Sequence, residues 1–344
     1  MFGIFERRQI LNALGGLPSP EVINKEWLYV LKEETRNSIL IEGVFVSEDE
    51  LEEVLSKGQP AKKSQAEALN YYRAARYFYE LAYQGLQTGE FMYSVAMARQ
   101  INKMLLEGVN GDGGKLRNGD IIIAGAKISP PGGLDIEEWL KVHKEYVMSY
   151  QDRMSDRTFL QDISAQHILF ESIHPFADGN GRTGRIILNY LLISRGLPPI
   201  ILKGDETARD RYYRALETGD IALRPLMKEF PGHQKILDIL SGMKTGHLEE
   251  MIAEAARTSL DRMIISILET KAGLVPKPSR EVAQAMGIAH DSMRTLINRG
   301  RFVAIKKGKD WFTHESLESN TLLKTYGIHH SDTDPPGMPE SPHP

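Results

Sequence analysis

The chain has 344 residues, 41% apolar and 26% charged, a balance that supports a sizeable buried core and argues for two or three domains rather than one small module. With no cysteine, disulfides, thiolate zinc sites, iron–sulfur clusters and thiol nucleophiles are excluded. A net charge of −4 rules out a general polyanion binder, no apolar run approaches a membrane span, and the first residues lack the apolar stretch of a secretion signal, so a cytoplasmic location is expected.

The first half reads as helical. Residues 21–36 carry Val22, Ile23, Trp27, Leu28, Val30 and Leu31 at broadly helical spacing. Ser47, with Glu50 three residues on, predicts a capping box ahead of Leu51–Leu55. Ala66 to Gln84 has no Gly or Pro and predicts a long, mostly buried helix, and Phe91 to about Leu106 predicts another. Between Gly111 and Pro131, Lys115–Arg117 and Asp120–Ala124 flank Asn118-Gly119, which predicts a β-hairpin. Pro130-Pro131-Gly132-Gly133 breaks the chain, and a helical pattern resumes from Ile136 to about Ile173. A second boundary falls near Gly242 to Gly246. Beyond it, helix, glycine-containing turn, helix and short hairpin give a winged helix-turn-helix outline. The expected division is 1–89, an N-terminal helical region; 90–240, a core; 250–326, the winged module; and 327–344, a disordered tail rich in Pro, His, Ser and Asp.

One segment concentrates the chemistry: His174-Pro175-Phe176-Ala177-Asp178-Gly179-Asn180-Gly181-Arg182-Thr183-Gly184-Arg185. Helical patterns on both sides make it a loop that ends at a helix N-terminus, where open amides and the helix dipole attract anions. Arg182 and Arg185 have the geometry to fork onto phosphate oxygens. Asp178 supplies a hard oxygen for a magnesium ion held by phosphates, and His174 is a proton acceptor near neutral pH. Together these form a kit for phosphate transfer. A dinucleotide-binding reading of Gly179, Gly181 and Gly184 fails, because a helix rather than a strand precedes them.

This segment resembles the signature of the Fic family of nucleotidyltransferases, H-P-F-x-[D/E]-G-N-G-R-x-x-R, and matches every specified position. The resemblance implies a mainly α fold, with a helical-bundle core over roughly Glu90 to Phe230 and a small β-hairpin flap at Lys115–Ala124 that clamps an extended target segment by strand addition. It implies transfer of AMP from ATP, with Mg2+, to a Ser, Thr or Tyr hydroxyl of a target protein. His174 is then the general base and Asp178 the metal ligand. Gly179, Asn180 and Gly181 hold phosphate, and Arg182 and Arg185 bind the outer phosphates.

The family also has an inhibitory helix of pattern [S/T]-x-x-x-E-[G/N], which Ser38-Ile39-Leu40-Ile41-Glu42-Gly43 fits. On a helix, Ser38 and Glu42 share one face, and Glu42 is expected to pair with Arg185 and withhold it from the γ-phosphate. The run Ile187–Ile201 is similar to the metazoan branch of the family whose members both add and remove AMP. The C-terminal module is locally basic: eight basic against three acidic residues lie between Pro276 and Phe312. A DNA-binding regulator is therefore the alternative reading, and a docking or dimerisation module is the favoured one. Expected partners are a hydroxyl-bearing target protein, the chain itself in auto-modification, and a second copy in a homodimer.

Overall fold

The computed structural model describes residues 3–20, 24–151 and 156–328. Val22 and Ile23 of the first expected helix and most of the expected disordered tail lie outside the described residues. Helix α1 (Ile4–Ala13) leads to α2 (Lys25–Ile41). The Asn24 side chain starts α2 by accepting from the amides of Glu26 at 2.9 Å and Trp27 at 3.1 Å, which satisfies two donors that a helix start leaves open. α2 continues beyond Arg36 and closes on Gly43, whose φ is 80°. The amides of Gly43 and Val44 donate back to Leu40 O and Ile39 O at 2.9 and 3.0 Å, a Schellman cap that glycine adopts without steric cost.

α3 (Glu48–Lys57) carries the capping box of Ser47 and Glu50, and α4 (Lys63–Thr88) is the long helix read from Ala66–Gln84. α5 (Val95–Leu105) begins later than Phe91, because Ser94 Oγ accepts from Met97 N at 3.1 Å and sets the cap there. The helical stretch expected over 136–173 is two helices packed on each other, α6 (Ile136–Gln151) and α7 (Asp156–Ile173). α8 (Asn180–Ile193) is buried at every position except Gly181. It is the axis of the molecule, surrounded by α2, α4, α5 and α7.

α9 (Glu206–Gly219), α10 (His233–Ser241) and α11 (Gly246–Ala272) complete this bundle. α11 packs on α7, α9 and α2, burying Leu248, Ile252, Leu260 and Ile264 completely. Then follow β1 (Lys277–Pro278), α12 (Ser279–Ala285), α13 (His290–Asn298), β2 (Ile305–Lys307), β3 (Asp310–Thr313) and α14 (Ser319–Thr325). β3 is the central strand, antiparallel to both neighbours, with Lys277 opposite Thr313 and Ile305 opposite Phe312. Val282, Met293, Ile297 and Phe302 form a small core of their own beneath it.

The N-terminus is tied into this end of the chain. α1 packs on α11 and α14. Fully buried Arg7 pairs with Asp261 of α11 and donates to Gly300 O at 3.3 Å and Phe302 O at 3.2 Å. Ala304 N donates to the other Asp261 oxygen at 3.3 Å. Burial pushes the Asp261 carboxyl up from its ordinary range, and the Arg7 charge opposes that push. Removing either partner strands a buried charge, at a cost of about 3–5 kcal/mol.

The hairpin expected over Lys115–Ala124 does not form. Leu116 instead makes an isolated bridge to Phe176, and Arg117 N donates to Pro175 O at 3.0 Å. The first arm therefore spends its ladder groups on the loop after α7, and residues 119–126 run on as irregular chain with no strand partner. Among the described residues, no helix is long and apolar enough to cross a membrane.

Candidate active site

The loop between α7 and α8 is held from below by Arg117, a residue the sequence reading did not single out. Its guanidinium donates to His174 O at 2.8 Å, Gly119 O at 2.7 Å, Pro131 O at 2.7 Å and Ile173 O at 3.2 Å. One planar fork thus fixes four carbonyls. It clamps a strained point, since His174 has φ of 49°, a left-handed conformation that costs a non-glycine residue about 1–3 kcal/mol.

The His174 imidazole faces the Glu171 carbonyl, with Nδ1 and the oxygen 3.3 Å apart. A carbonyl can only accept, so Nδ1 carries the proton and Nε2 keeps its lone pair. Burial holds the His174 pKa below the usual 6.5, because desolvation disfavours the imidazolium. The residue is therefore neutral at pH 7, the state a general base needs.

α8 starts at Gly179, whose φ of 77° only glycine takes easily. Asn102 of α5, fully buried, braces this turn. Its Nδ2 donates to Asp178 O at 2.8 Å and Thr183 Oγ1 at 3.3 Å, and its Oδ1 accepts from Gly114 N at 2.9 Å. Asn180 was expected among the phosphate-holding groups, but its side chain closes on the loop itself. Oδ1 accepts from Phe176 N at 2.9 Å and Nδ2 donates to Phe176 O at 2.8 Å. It shapes the cradle, and Gly181 lines it.

The two arginines diverge. Arg182 was expected beside Arg185 on phosphate. Instead it donates to Asp178 Oδ1 at 3.0 Å and lies 3.8 Å from the buried carboxylate of Glu67 on α4. A buried acid needs a counter-charge, and Glu67 draws Arg182 to that side. Arg185 turns to α2. Its Nε donates to Ser38 Oγ at 2.6 Å, and its Nη2 donates to Ser38 O at 2.9 Å and to Glu42 Oε1 at 2.6 Å. The Glu42 carboxylate also abuts Gly181, where a Cβ would collide with it. An intramolecular anion thus occupies the first turn of α8. Gly43 touches none of this and serves to end α2.

A cavity of about 520 Å³ opens here, lined by Glu42, His174, Gly181 and Arg185 together with the 122–126 stretch. Ile122 at its rim is 93% exposed. Among the other lining residues that the motif did not indicate are Glu171, Tyr212 and Tyr213. Tyr213 donates to Ile41 O at 3.0 Å and so holds the end of α2. Tyr212 is hydrogen-bonded to His167 at 2.8 Å, and burial depresses His167 to about 3. Behind α2, the buried Glu34 carboxyl bonds to the Tyr71 hydroxyl, and burial raises it to about 8. A helical i, i+4 pattern links Glu34, Ser38 and Glu42, but only burial distinguishes Glu34 from a surface acid.

Residues 93–192 match the Fic/DOC family. A probable protein adenylyltransferase of Aquifex aeolicus is 31% identical over 298 residues, covering 85% of this chain and 87% of that one. A protein adenylyltransferase Fic of Culex quinquefasciatus is 32% identical over 125 residues, 34% of this chain and 22% of the other. Among solved structures, a Fic-domain signalling protein of Bacteroides thetaiotaomicron shares the fold with a TM-score of 0.58 at 18% identity, covering 76% of this chain and 96% of that one. A fragment of Fic-1 from C. elegans does so with a TM-score of 0.52 at 19% identity, over 77% and 73%. The mainly helical fold, the intact motif at the head of α8 and a relative matched along nearly its whole length agree: this chain belongs to the Fic/DOC family, with the protein adenylyltransferases.

Proposed function

We propose that this chain transfers AMP from ATP to a Ser, Thr or Tyr hydroxyl of a target protein, and that α2 holds the activity in check. The observation that carries the reading is the shared cavity, where a neutral His174, the amide end of α8 and the Arg185 guanidinium converge. In the reaction the His174 Nε2 lone pair takes the hydroxyl proton, the hydroxyl oxygen bonds to the α-phosphorus, and the bond to the bridging oxygen breaks to release pyrophosphate. The α8 N-terminus holds phosphate, and Arg185 takes the γ-phosphate once Glu42 withdraws.

A magnesium ion would neutralise charge on the leaving pyrophosphate. Asp178 is suited to hold it: its carboxylate is 43% exposed, with Arg182 as its ion-pair partner, and a single carboxylate suffices where phosphates supply the other ligands.

Residues 120–123, without a strand partner at the cavity rim, are suited to receive a target segment by strand addition. Auto-modification is the simplest instance of transfer. Where Glu42 orients a water, the same site removes AMP. The helix–turn–helix and hairpin beyond α11 serve in this reading as a winged-helix docking module. The test is incubation of the full chain with ATP labelled on the α-phosphate. Covalent label should survive denaturation and fall about 10²-fold or more in His174→Ala; equal labelling of that variant would overturn the assignment of the base.

A further inference from the structure

Glu171 lies one helical turn before His174 on α7 and lines the same cavity. Its carboxyl rests on α8: a Cβ at Gly184 would overlap Glu171 Oε1 and come within 3.1 Å of the Phe170 ring. Glycine at 184 is thus what admits this acid beside Arg185. Oε1 is buried and has no hydrogen-bond partner. The nearest cation-forming group is His167 Nε2 at 3.9 Å, on a ring that burial keeps neutral.

The charged and titratable groups around it are Arg185 from α8, Glu42 from α2, Asp210, Tyr212, Tyr213, Arg214 and Glu217 from α9, Asp220 at the cavity wall, and His167 and His174 on its own side. Arg185 is the buried cation of that set, and three carboxyl groups act on it: Glu42, Glu171 and, from behind α2, Glu34. Ser38 and Glu42 take its Nε and Nη2 donors in the present arrangement.

We propose that Glu171 is a positioning residue for the phosphate end of the nucleotide: protonated, it leaves Arg185 to the ligand, and ionised, it takes Arg185 for itself. Arg185 is 3% exposed and cannot turn to water, so once Glu42 withdraws its charge is left to Ser38, to the buried carboxyls of Glu34 and Glu171, and to any phosphate that enters the cavity. Burial pushes Glu171 up to about 8, the Arg185 charge opposes this, and the Glu42 charge adds to it. With Glu42 in place the carboxyl is therefore held largely neutral near pH 7; neutral, it adds no charge to repel ATP. Above its pKa the carboxylate repels phosphate and competes for the guanidinium. The sign is that ATP affinity falls as pH rises through the Glu171 pKa. Without Glu42 the fall begins at lower pH, because one negative neighbour is gone.

This inference rests on ATP occupying the Arg185 end of the cavity. The test compares full-length Glu42→Gly with Glu42→Gly/Glu171→Gln. Glutamine has the shape of the protonated acid, so the α7–α8 contact at Gly184 is kept. The KM for ATP in auto-modification should rise with pH in the first protein, approaching about tenfold per pH unit for loss of one proton, and should stay flat in the second. Calorimetry of ATP binding in two buffers of different ionisation enthalpy should show proton uptake above pH 8 in the first and less in the second. Parallel KM profiles, or equal proton uptake, would overturn the role of Glu171 while leaving AMP transfer intact. Absence of ATP binding by both proteins at every pH would overturn this role and the proposed function together.

Discussion

Arg185 on α8 and Glu42 at the end of α2 stand 143 residues apart in the chain, yet Arg185 Nη2 donates to Glu42 Oε1 at 2.6 Å. The two ends of this pair differ. The guanidinium is 3% exposed and the carboxylate 33%, so the arginine is fixed in the core and the glutamate reaches it from the rim. α2 is gripped at this point by Tyr213 on Ile41 O and by Gly204, whose amide donates to Asn37 Oδ1 at 3.1 Å and whose missing side chain admits the helix backbone.

Substituting Glu42 by Gly removes both the competing carboxylate and its bulk against Gly181. Auto-modification should rise at least about tenfold, equivalent to about 1.4 kcal/mol of barrier. Ser38→Ala loses the bond to Arg185 Nε but keeps the Ser38 O and Glu42 contacts to Nη2, so its gain should be smaller. Arg185→Ala should show no gain, because it frees α2 and loses the phosphate contact together. Incorporation of labelled AMP at saturating ATP and magnesium checks all three; equal labelling of wild type and Glu42→Gly would dismiss α2 as an inhibitor.

The acid side of the pH profile should reflect buried His174. Its lowered pKa keeps the base unprotonated below 6.5, so kcat/KM is lost only as pH falls through a value under 6.5. Profiles of Glu42→Gly from about pH 5 to pH 8 report the free enzyme's base. An acid limb centred above 6.5 would show that His174 is not the group titrating.

Asn180 offers a separation of binding from folding. Both of its hydrogen bonds go to Phe176, and Asn180→Ala leaves those buried peptide groups unpaired, at about 1–3 kcal/mol. A lowered melting temperature is expected with or without ATP. A variant that melts like wild type but binds ATP poorly would return Asn180 to the phosphate ligands.

The boundary read near Gly242–Gly246 is a poor place to cut. α11 begins at Gly246 and buries Leu248, Ile252, Leu260 and Ile264, each worth about 2–5 kcal/mol on truncation to alanine. A chain ending at Lys244 should fail to fold. Asp261→Asn should lower stability through Arg7, by up to about 3–5 kcal/mol. Circular dichroism melts of both proteins decide this; a cooperative melt of the shortened chain would show that α11 is dispensable.

Much of the local structure was written in the chain. Ser47 with Glu50 and Gly43 after Glu42 set helix ends through their own hydrogen bonds and φ preferences. The apolar spacing after Arg185 predicted a helix. The spacing from His174 to Arg185 placed a loop at a helix N-terminus. The spacing of Ser38 and Glu42 put both on one face of α2. Each of these rests on interactions within a few residues.

What the chain alone did not decide is where long side chains find their partners. Arg182 and Arg185 are near-identical in sequence context, yet one turns to Glu67 and Asp178 and the other to Ser38 and Glu42. The choice depends on which acid lies across the helix packing. Asn118-Gly119 promised a hairpin, but Arg117 and Leu116 found better partners in the loop after α7. Glu171, Tyr212 and Arg117 carry no local signature, since a buried acid and a surface acid are the same letter. Residues distant in sequence met only when α8 was enclosed. There a low dielectric makes each unpaired charge or carbonyl costly, and tertiary packing settled which groups satisfied them.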